Sequence, residues 1–311
     1  MLKVSVLGAN SFIGKHLIRS LSEKQNVSLT LFGRKILPEF EHLKCVQGDF
    51  ADTESLTKAL VGQDIVYHFV SQTIPATSWN EPLVEIENNL KPFLKFIEIA
   101  SENEVKKICF ASSGGTIYGF QQDALNEEHL TEPFSPYGII KRTIESFLQY
   151  AKQKHQLNYD IYRMSNVYGE GQDIGKGLGF INTALEKIAH NESVVIYGDG
   201  ENVRDYVYVR DVAKLLTLSL EKNINDSDIY NLSSNHPVSL NELVDLMKSI
   251  LGINFEVKYL PMRASDNRKV VLDNAKIMKH FDQLSLTPLE NGIEQTYNYL
   301  KNKASYVQKS L

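Results

Sequence analysis

The sequence predicts an α/β fold, in which a doubly wound parallel sheet is followed by a smaller mixed α/β domain. Short, almost wholly apolar runs alternate with helical patterns through the first half of the chain. Strands that are apolar along their whole length are typical of a parallel sheet covered by helices on both faces. A glycine-rich turn, Gly8–Gly14, connects the first apolar run to the first helical pattern, as in Rossmann-type sheets.

The strands and helices of the first half follow one another in a regular order. The predicted strands are Leu2–Leu7, Ser28–Phe32, Lys44–Gln47, Ile65–Phe69, Lys107–Ala111 and Asp160–Met164. The predicted helices are Phe12–Lys24, one that begins near Thr53, Leu83–Asn103 and Tyr137–Gln156. Asp52 or Thr53 is expected to cap the second helix, because a short polar side chain accepts hydrogen bonds from the first N–H groups.

The pattern loosens after Gly169, where glycines recur at 171, 175, 177 and 179. The sequence therefore predicts a first domain over residues 1–169 and a mainly substrate-binding domain over residues 170–311, between which the chain can cross back. In the second domain the helical patterns are Leu178–Ala189, Asp211–Leu220, Ser239–Leu251 and Leu289–Lys301. Its strand-like pieces are Val194–Tyr197, Tyr206–Val209 and Phe255–Lys258.

The composition disfavours several classes of partner. The chain of 311 residues has a net charge of −5, so no overall positive field attracts nucleic acid. No stretch reaches the roughly 18 apolar residues of a membrane span, and the start lacks a signal-peptide pattern. We therefore expect a cytoplasmic protein. Cys45 and Cys109 lie in apolar strand patterns, so both thiols are expected to be buried, with neither a disulfide nor a metal site.

The turn Gly8–Gly14 matches the needs of a dinucleotide-binding site. One glycine makes a tight bend, one lets the backbone approach the pyrophosphate, and one lets the helix pack on the strand. A plain strand-to-helix connection is the alternative, but the position after the first strand favours a cofactor site. The residues assigned to the cofactor here are Gly8, Ser11, Phe12, Ile13 and Gly14.

The end of the second strand, Gly33–Arg34, carries no acidic residue. In NAD enzymes an Asp or Glu at this place holds the ribose hydroxyls, whereas a guanidinium can pair with the 2′-phosphate of NADP. The sequence therefore favours NADP(H) over NAD(H), with Arg34 as the phosphate contact. A solvated loop cation is the alternative.

Tyr137 and Lys141 are four residues apart on a predicted helix, so phenol and ammonium share one face. A neighbouring ammonium is expected to lower the pKa of the phenol, which makes it a usable acid or base near neutral pH. The same spacing occurs at Tyr150/Lys154, Tyr297/Lys301 and Tyr299/Lys303, which we attribute to helix surfaces. Only Tyr137 follows a strand that ends in a Ser- and Gly-rich turn.

Several segments, in order, resemble the extended short-chain dehydrogenases that act as NAD(P)-dependent nucleotide-sugar epimerases, dehydratases and reductases. They are GANSFIG, DIVYHF, ENNLKPF, SSGGTIYG, SPYGIIK, RMSNVYG and GDGENVRDYVYVRDVA. The resemblance covers about Leu2 to Asp273 and is greatest to the UDP-hexose 4-epimerase branch. It implies that Tyr137 is the acid/base and Lys141 its partner. It further implies cofactor contacts from Asn89, Asp49 and Phe50, with Asp49 near the adenine.

Two positions depart from the family pattern. Ser11 replaces the middle glycine of the turn, where its hydroxyl can bond the phosphate or its Cβ can push the cofactor outward. Gly114 replaces the Ser or Thr that hydrogen-bonds the sugar in the family. Thr116 and Ser113 are the nearest hydroxyls, and we expect Thr116 to substitute as a catalytic group. The alternative is that both hydroxyls only satisfy backbone groups in the turn.

The resemblance also implies that the substrate is a nucleotide-diphosphate sugar and that the protein is a homodimer. Asn166, Arg204 and Arg263 match family residues that contact the diphosphate. A net acidic protein needs convergent guanidinium groups to hold a pyrophosphate, although surface salt bridges are the alternative for both arginines. Val270 matches the position that gates the C2 side of the sugar, where valine leaves room for an N-acetyl group. Packing within a short strand is the alternative for Val270.

Two reactions fit these residues, and both are hydride transfers at C4 of a nucleotide-diphosphate hexose. The sequence slightly favours NADPH-dependent reduction of a 4-keto (6-deoxy) sugar. The first alternative is a UDP-hexose or UDP-N-acetylhexosamine 4-epimerase with tightly held NAD. A dehydratase is disfavoured, because the family's dehydratases have Asp-Glu where this chain has Gly115-Thr116. A non-catalytic NAD(P)-binding sensor is the remaining alternative, against which the Tyr137–Lys141 pair argues.

Overall fold

The computed structural model describes residues 1–73, 75–120, 124–176, 179–262, 268–281 and 284–308. The chain forms two compact units. Unit 1 comprises Met1–Gly119, Glu127–Met164 and Ala213–Asn231, and unit 2 comprises Phe120–Asn126, Ser165–Val212 and Leu232–Leu311. Within the described residues, no helix combines the length and the apolar character needed to cross a membrane.

The strands and helices are numbered along the chain. The strands are β1 (Leu2–Leu7), β2 (Val27–Gly33), β3 (Lys44–Gln47), β4 (Ile65–His68), β5 (Lys107–Ser113), β6 (Asn158–Met164), β7 (Asn166–Tyr168), β8 (Val194–Tyr197), β9 (Val203–Tyr208), β10 (Asp228–Leu232), β11 (Pro237–Ser239), β12 (Val257–Leu260) and β13 (Lys269–Val270). The helices are α1 (Phe12–Ser22), α2 (Thr53–Leu60), α3 (Pro75–Ser78), α4 (Pro82–Glu85), α5 (Lys91–Glu102), α6 (Gly114–Ile117), α7 (Pro136–His155), α8 (Phe180–Ala189), α9 (Val209–Leu218), α10 (Leu240–Leu251), α11 (Ala275–His280) and α12 (Leu289–Gln308).

Unit 1 is built on a seven-stranded sheet in the order β10-β6-β5-β4-β1-β2-β3. β1 pairs in parallel with both β2 and β4, and the pairs β2–β3, β4–β5 and β5–β6 are parallel as well. The strand order therefore reverses at β1, which is where a doubly wound sheet opens a binding crevice at its carboxyl edge. The predicted Rossmann-type fold is confirmed.

The core of unit 1 explains why its central strands are apolar throughout. Val66 on β4 and Phe110 on β5 pack with Phe93 on α5 and Leu148 on α7, and all four side chains are fully buried. Asp52 caps α2 by accepting hydrogen bonds from the N–H groups of the first turn, so it is the cap of the two predicted candidates.

The prediction for Cys45 is wrong, because its side chain is exposed, whereas Cys109 is buried as expected. Cys45 lies on β3, which is the last strand of the sheet, and most residues of that strand are exposed. Cys109 lies on β5, between two other strands. Apolar sequence alone did not distinguish an edge strand from a central one.

The long helix predicted over Leu83–Asn103 is interrupted by a π-helical turn. That turn, Ile86–Leu90, separates α4 from α5. Pro92 stands in the first turn of α5. Proline has no N–H, and its ring clashes with the carbonyl four residues earlier in a regular helix. The wider turn just before Pro92 relieves that conflict, and such turns often carry functional residues.

Unit 2 has β9 at the centre of a four-stranded sheet. β7 and β13 pair with β9 in parallel, and β11 pairs with it in antiparallel fashion. β8 and β12 form a separate parallel pair. Ile181 on α8, Leu243 on α10 and Ile293 on α12 are fully buried in the core beside these strands. The mixed α/β character predicted for the second domain is present in this unit.

Candidate active site

The turn between β1 and α1 has the close approaches that a dinucleotide site needs. Gly8 has φ +85°, and a Cβ there would lie 3.1 Å from the carbonyl carbon of Phe69. A Cβ on Gly14 would lie 2.5 Å from the Gly8 carbonyl oxygen, so only glycine lets α1 pack this closely. The residues of the turn therefore fit a pyrophosphate approached by bare backbone.

Ser11 caps α1, because its Oγ accepts a hydrogen bond from the Gly14 N–H at 3.0 Å. This bond holds the serine side chain at the helix end and still leaves its hydroxyl proton as a donor. Phe12 and Ile13 form the start of α1, whose unpaired N–H groups make an anion-binding end. The replacement of the middle glycine thus supplies a helix cap at the predicted phosphate site.

The ends of β2 and β3 bring Arg34 and Asp49 to the same edge of the sheet, since the two strands pair in parallel. Both side chains are exposed. The Asp49 carboxylate accepts a hydrogen bond from the Ala51 N–H at 3.0 Å. Phe50, by contrast, is buried and packs edge-to-face on His68 with ring centres 4.8 Å apart. The predicted adenosine contacts therefore lie together at the carboxyl edge.

Helix α7 carries the Tyr137–Lys141 pair. Its N-cap is Ser135, whose Oγ accepts a hydrogen bond from the Gly138 N–H at 3.1 Å, and Pro136 fills the first position. Proline suits that position because it has no N–H to leave unpaired. The local sequence thus fixes the start of α7, one residue before Tyr137.

Lys141 is held at the end of β5. Its ammonium donates a hydrogen bond to the Ala111 carbonyl at 2.8 Å and lies 4.7 Å from the centre of the Phe110 ring. The same ammonium lies 5.6 Å from the centre of the Tyr137 ring. The predicted pair is therefore brought together, with the cation beside the phenol ring.

The charge states of the pair follow from burial. Burial raises the pKa of Tyr137, and the nearby Glu85 carboxylate raises it further, so the phenol is a proton donor in this structure. The lowering of the Tyr137 pKa expected from Lys141 is not found, because burial and then the Glu85 charge both disfavour the phenolate. Burial also lowers the pKa of Lys141 to about 8, an effect that Glu85 and then Glu145 oppose.

The other Tyr–Lys pairs with the same spacing lie elsewhere. Tyr150 and Tyr299 are exposed, as expected for helix surfaces. Tyr297 is 8% exposed and belongs to the core of unit 2, so its assignment to a helix surface is wrong. Among the described residues, only Tyr137 of these tyrosines stands at the end of the unit 1 sheet.

The Ser- and Gly-rich turn after β5 packs directly against the start of α7. A Cβ on Gly138 would lie 2.6 Å from the Thr116 carbonyl oxygen, which places α6 against the first turn of α7. The Thr116 hydroxyl donates to the Ser113 carbonyl at 3.4 Å, and Ser113 makes no capping hydrogen bond with its side chain. A Cβ on Gly115 would meet nothing within 4 Å. The backbone of Thr116 therefore lies against the start of the helix that carries Tyr137.

A pocket in unit 1 is lined by Tyr137, Lys141 and the predicted cofactor residues Phe50 and Asn89. Asn89 stands on the π-helical turn, where its Oδ1 accepts a hydrogen bond from the Gln72 N–H at 2.9 Å. Its Nδ2 donates to the Thr73 hydroxyl at 2.8 Å. Asn89 therefore holds the loop after β4 in place, in addition to facing the pocket.

Two acidic residues near the pair were not predicted from the sequence. Glu85 lines the same pocket, and Glu145 is buried on α7. Glu145 accepts hydrogen bonds from Ser112 at 2.6 Å and from the Arg163 guanidinium at 2.8 Å. Helical spacing could have indicated both residues, because Glu145 stands four residues after Lys141 and Glu85 stands four residues before Asn89.

Three of the predicted substrate residues lie on one sheet in unit 2. Asn166 on β7 donates to the Asp205 carbonyl at 3.0 Å, which ties it to the central strand β9. Arg204 lies on β9 and is paired in register with Val270 on β13. Val270 is buried. Arg263, the fourth residue, lies outside the described residues.

Known proteins are similar to this chain over nearly its whole length. Residues 4–233 match the NAD dependent epimerase/dehydratase family. A putative UDP-glucose 4-epimerase of Methanocaldococcus jannaschii is 32% identical, with 96% of this chain and 98% of the relative covered. A dTDP-4-dehydro-6-deoxyglucose reductase of Escherichia coli is 27% identical, over 96% of this chain and 98% of the relative.

A similar solved structure is the Thermus thermophilus UDP-glucose 4-epimerase in complex with NAD. It is 27% identical in sequence and superposes with a TM-score of 0.88. The match covers 96% of this chain and 99% of that structure's chain. The family match and the pair at the end of β5 lead to one conclusion. The chain belongs to the NAD-dependent epimerase/dehydratase family and is an enzyme of the extended short-chain dehydrogenase type.

Proposed function

We propose that this enzyme transfers hydride at C4 of a nucleotide-diphosphate hexose, and that it does so as a UDP-hexose 4-epimerase with bound NAD. The observation that carries the proposal is the Tyr137–Lys141 pair at the carboxyl edge of the sheet, in which Lys141 is buried and Tyr137 is half-buried. The relatives support the choice of reaction. The Methanocaldococcus jannaschii protein is a putative UDP-glucose 4-epimerase, and the Thermus thermophilus protein is a UDP-glucose 4-epimerase.

The chain supplies the proton chemistry of this reaction. The nicotinamide cofactor, when bound, supplies the acceptor and donor of the hydride. Tyr137 moves a proton to and from the oxygen at C4, and Lys141 provides the positive charge that stabilises the phenolate when the proton leaves. Thr116 on α6 is the hydroxyl that we assign to the sugar in place of Gly114, with Ser113 as the alternative.

Unit 2 supplies the substrate contacts in this proposal. Asn166, Arg204 and Arg263 are assigned to the diphosphate, which a planar guanidinium can bind through two hydrogen bonds. Val270 is assigned to the C2 side of the sugar. Asn166, Arg204 and Val270 lie on the same sheet. Their shared sheet supports one diphosphate site for Asn166 and Arg204, with Val270 beside it at the sugar.

A second candidate is the NADPH-dependent reduction of a 4-keto (6-deoxy) nucleotide sugar. Three observations favour it: the protonated phenol suits a proton donor, Arg34 is exposed at the end of β2, and the Escherichia coli relative is a reductase. In this reaction Tyr137 gives its proton to the C4 oxygen once per turnover. The two candidates therefore differ in the cofactor, NADP(H) instead of NAD, and in whether the cofactor leaves oxidised.

We also propose a cytoplasmic homodimer. Both cysteines are unpaired, which suits a reducing compartment. Ile140, Ile144 and Ala151 on α7 belong to the core, so they do not form a dimer surface. The exposed apolar side chains Leu83, Ile86 and Ile139 are the ones assigned to it. Sedimentation of the protein at twice the chain mass is the expected result.

The test begins with the cofactor that the purified protein releases on denaturation. Retained NAD and conversion of UDP-glucose to its C4 epimer are expected for the epimerase. Protein that arrives without cofactor and oxidises NADPH with a 4-keto nucleotide sugar would identify the reductase. In either case Tyr137→Phe should lower turnover by about 10²–10⁴-fold, because the proton donor is lost. Tyr150→Phe is the matched control and should keep full activity.

A further inference from the structure

The pocket beside the catalytic pair contains a buried acid with one uncommitted oxygen. Glu85, at the end of α4, is 1% exposed and lines the pocket together with Lys141. Its Oε2 accepts a hydrogen bond from the Asn89 side chain at 2.9 Å. Its Oε1 has no hydrogen-bond partner among the described residues. The carboxylate is therefore fixed in place while half of its accepting capacity remains available.

Lys141 is a buried cation that needs compensation. Its side chain carries three N–H donors, and the structure shows a hydrogen bond to the Ala111 carbonyl. The face of the Phe110 ring adds a weak attraction at 4.7 Å. A buried ammonium without an opposite charge nearby loses its proton readily, because burial disfavours the charged form. A negative charge in the same pocket is what keeps the lysine charged.

The charged and titratable groups around this ammonium come from three elements. Glu145 lies one turn further along α7, but its charge is balanced by the Arg163 guanidinium at 2.8 Å. His68, from β4, is neutral, because burial and then the lysine lower its pKa to about 3. Tyr137, also on α7, is protonated for the reason given above. Of the two acids in this group, Glu145 is paired with a cation, and Glu85, from α4, is the one that is not.

We propose that Glu85 is the counter-ion of the Lys141 ammonium and a positioning residue for the Tyr137–Lys141 pair. The proposal rests on the hydride-transfer function proposed above. Both side chains are buried, and charges interact more strongly in a buried environment than in solvent. The same carboxylate opposes ionisation of Tyr137, since two negative charges close together are unfavourable. Glu85 thus keeps both members of the pair protonated to higher pH.

The decisive measurement is the titration of Lys141 itself. Lysine labelled with carbon-13 at Cε is followed by NMR over a range of pH, and the Lys141 signal is assigned with Lys141→Arg. Wild type should titrate near the pKa of about 8 given by burial. Glu85→Gln removes the charge, keeps the size, and leaves an oxygen for Asn89. We expect the Lys141 midpoint to fall by about one pH unit in this variant.

The matched control is Glu87→Gln, which removes a charge two residues away. Glu87 is exposed and pairs with Lys91 at 3.3 Å, so its loss should leave the Lys141 midpoint unchanged. If Glu85→Gln does not fold, Glu85→Asp replaces it, and the retracted carboxylate should lower the midpoint by about half a unit. An unchanged midpoint in the folded Glu85 variant overturns the proposal.

A second readout ties the residue to the reaction. The pH optimum of turnover should move about one unit lower in Glu85→Gln, because both members of the pair lose their protons at lower pH. The NMR titration needs no substrate, which keeps the two proposals separable. If Lys141 shifts but no nucleotide sugar is turned over, the counter-ion assignment stands and the proposed function fails.

Discussion

Gly8→Ala tests the cofactor turn at its most restrictive point. Gly8 has φ +85°, a conformation that costs a residue with a side chain about 1–2 kcal/mol. The new Cβ would also lie 3.1 Å from the Phe69 carbonyl carbon and 3.3 Å from the Val70 nitrogen, both backbone atoms that cannot rotate away. Overpacking of this kind costs typically about 1–3 kcal/mol. We therefore expect a loss of about 2–5 kcal/mol in the free energy of unfolding.

Gly115→Ala is the matched control. A Cβ on Gly115 meets nothing within 4 Å, and this glycine does not have a positive φ. The added methyl group restricts the unfolded chain, so we expect an unchanged free energy of unfolding or a gain of about 0.4–1 kcal/mol.

Urea unfolding of both variants beside wild type measures the difference, and calorimetry with the cofactor measures binding. Gly8→Ala should also bind the cofactor more weakly, because the turn must move to accommodate the methyl group. Equal stability and equal cofactor affinity in the two variants would refute the argument that backbone approach fixes this turn.

Three further predictions concern the ligands. Arg34→Asp should weaken NADP(H) and strengthen NAD(H), and equal affinities before and after the change would exclude Arg34 as a phosphate contact. Arg204→Ala and Arg263→Ala should each weaken binding of a free nucleoside diphosphate by about 1.5–3 kcal/mol, the usual loss for a charge-assisted contact; calorimetry showing no loss in either would remove the clamp assignment. Val270→Tyr should selectively impair an N-acetylated sugar, because the larger ring fills the space assigned to the acetamido group. Activity is measured on matched sugars with and without that group, and an equal loss on both, or no loss on either, would contradict the assignment.

The sheet of unit 1 could be predicted because its strands are apolar along their whole length. The bounds predicted for β1 and β3 agree with the structure, and so does the Asp52 cap. The strand β10 was not predicted. Its sequence, DIYNL, is short and mixed in polarity, and its place in the sheet depends on the chain returning from unit 2. Local periodicity contains no information about such a return.

The same limit applies to the candidate site. Tyr137 and Lys141 could be paired from the sequence because they lie on one helix, one turn apart. Glu85 and Lys141 belong to different helices that are far apart in the chain, and their common pocket arises only from tertiary packing. The π-helical turn could not be predicted either, because its pattern of apolar residues suits a regular helix. Pro92 was the available indication that the helix could not be regular there.

The division of the chain between the two units limits how the enzyme can be shortened. A chain cut after Gly169 would lack β10, which lies beside β6 at the end of the sheet. Strand β6 would then present an unpaired edge, a template for aggregation. The Tyr118 hydroxyl would also lose its buried partner Asn231, to which it donates at 2.7 Å. A stand-alone cofactor-binding fragment therefore needs residues 213–231 restored to it, for example by a short linker or by co-expression as a separate peptide.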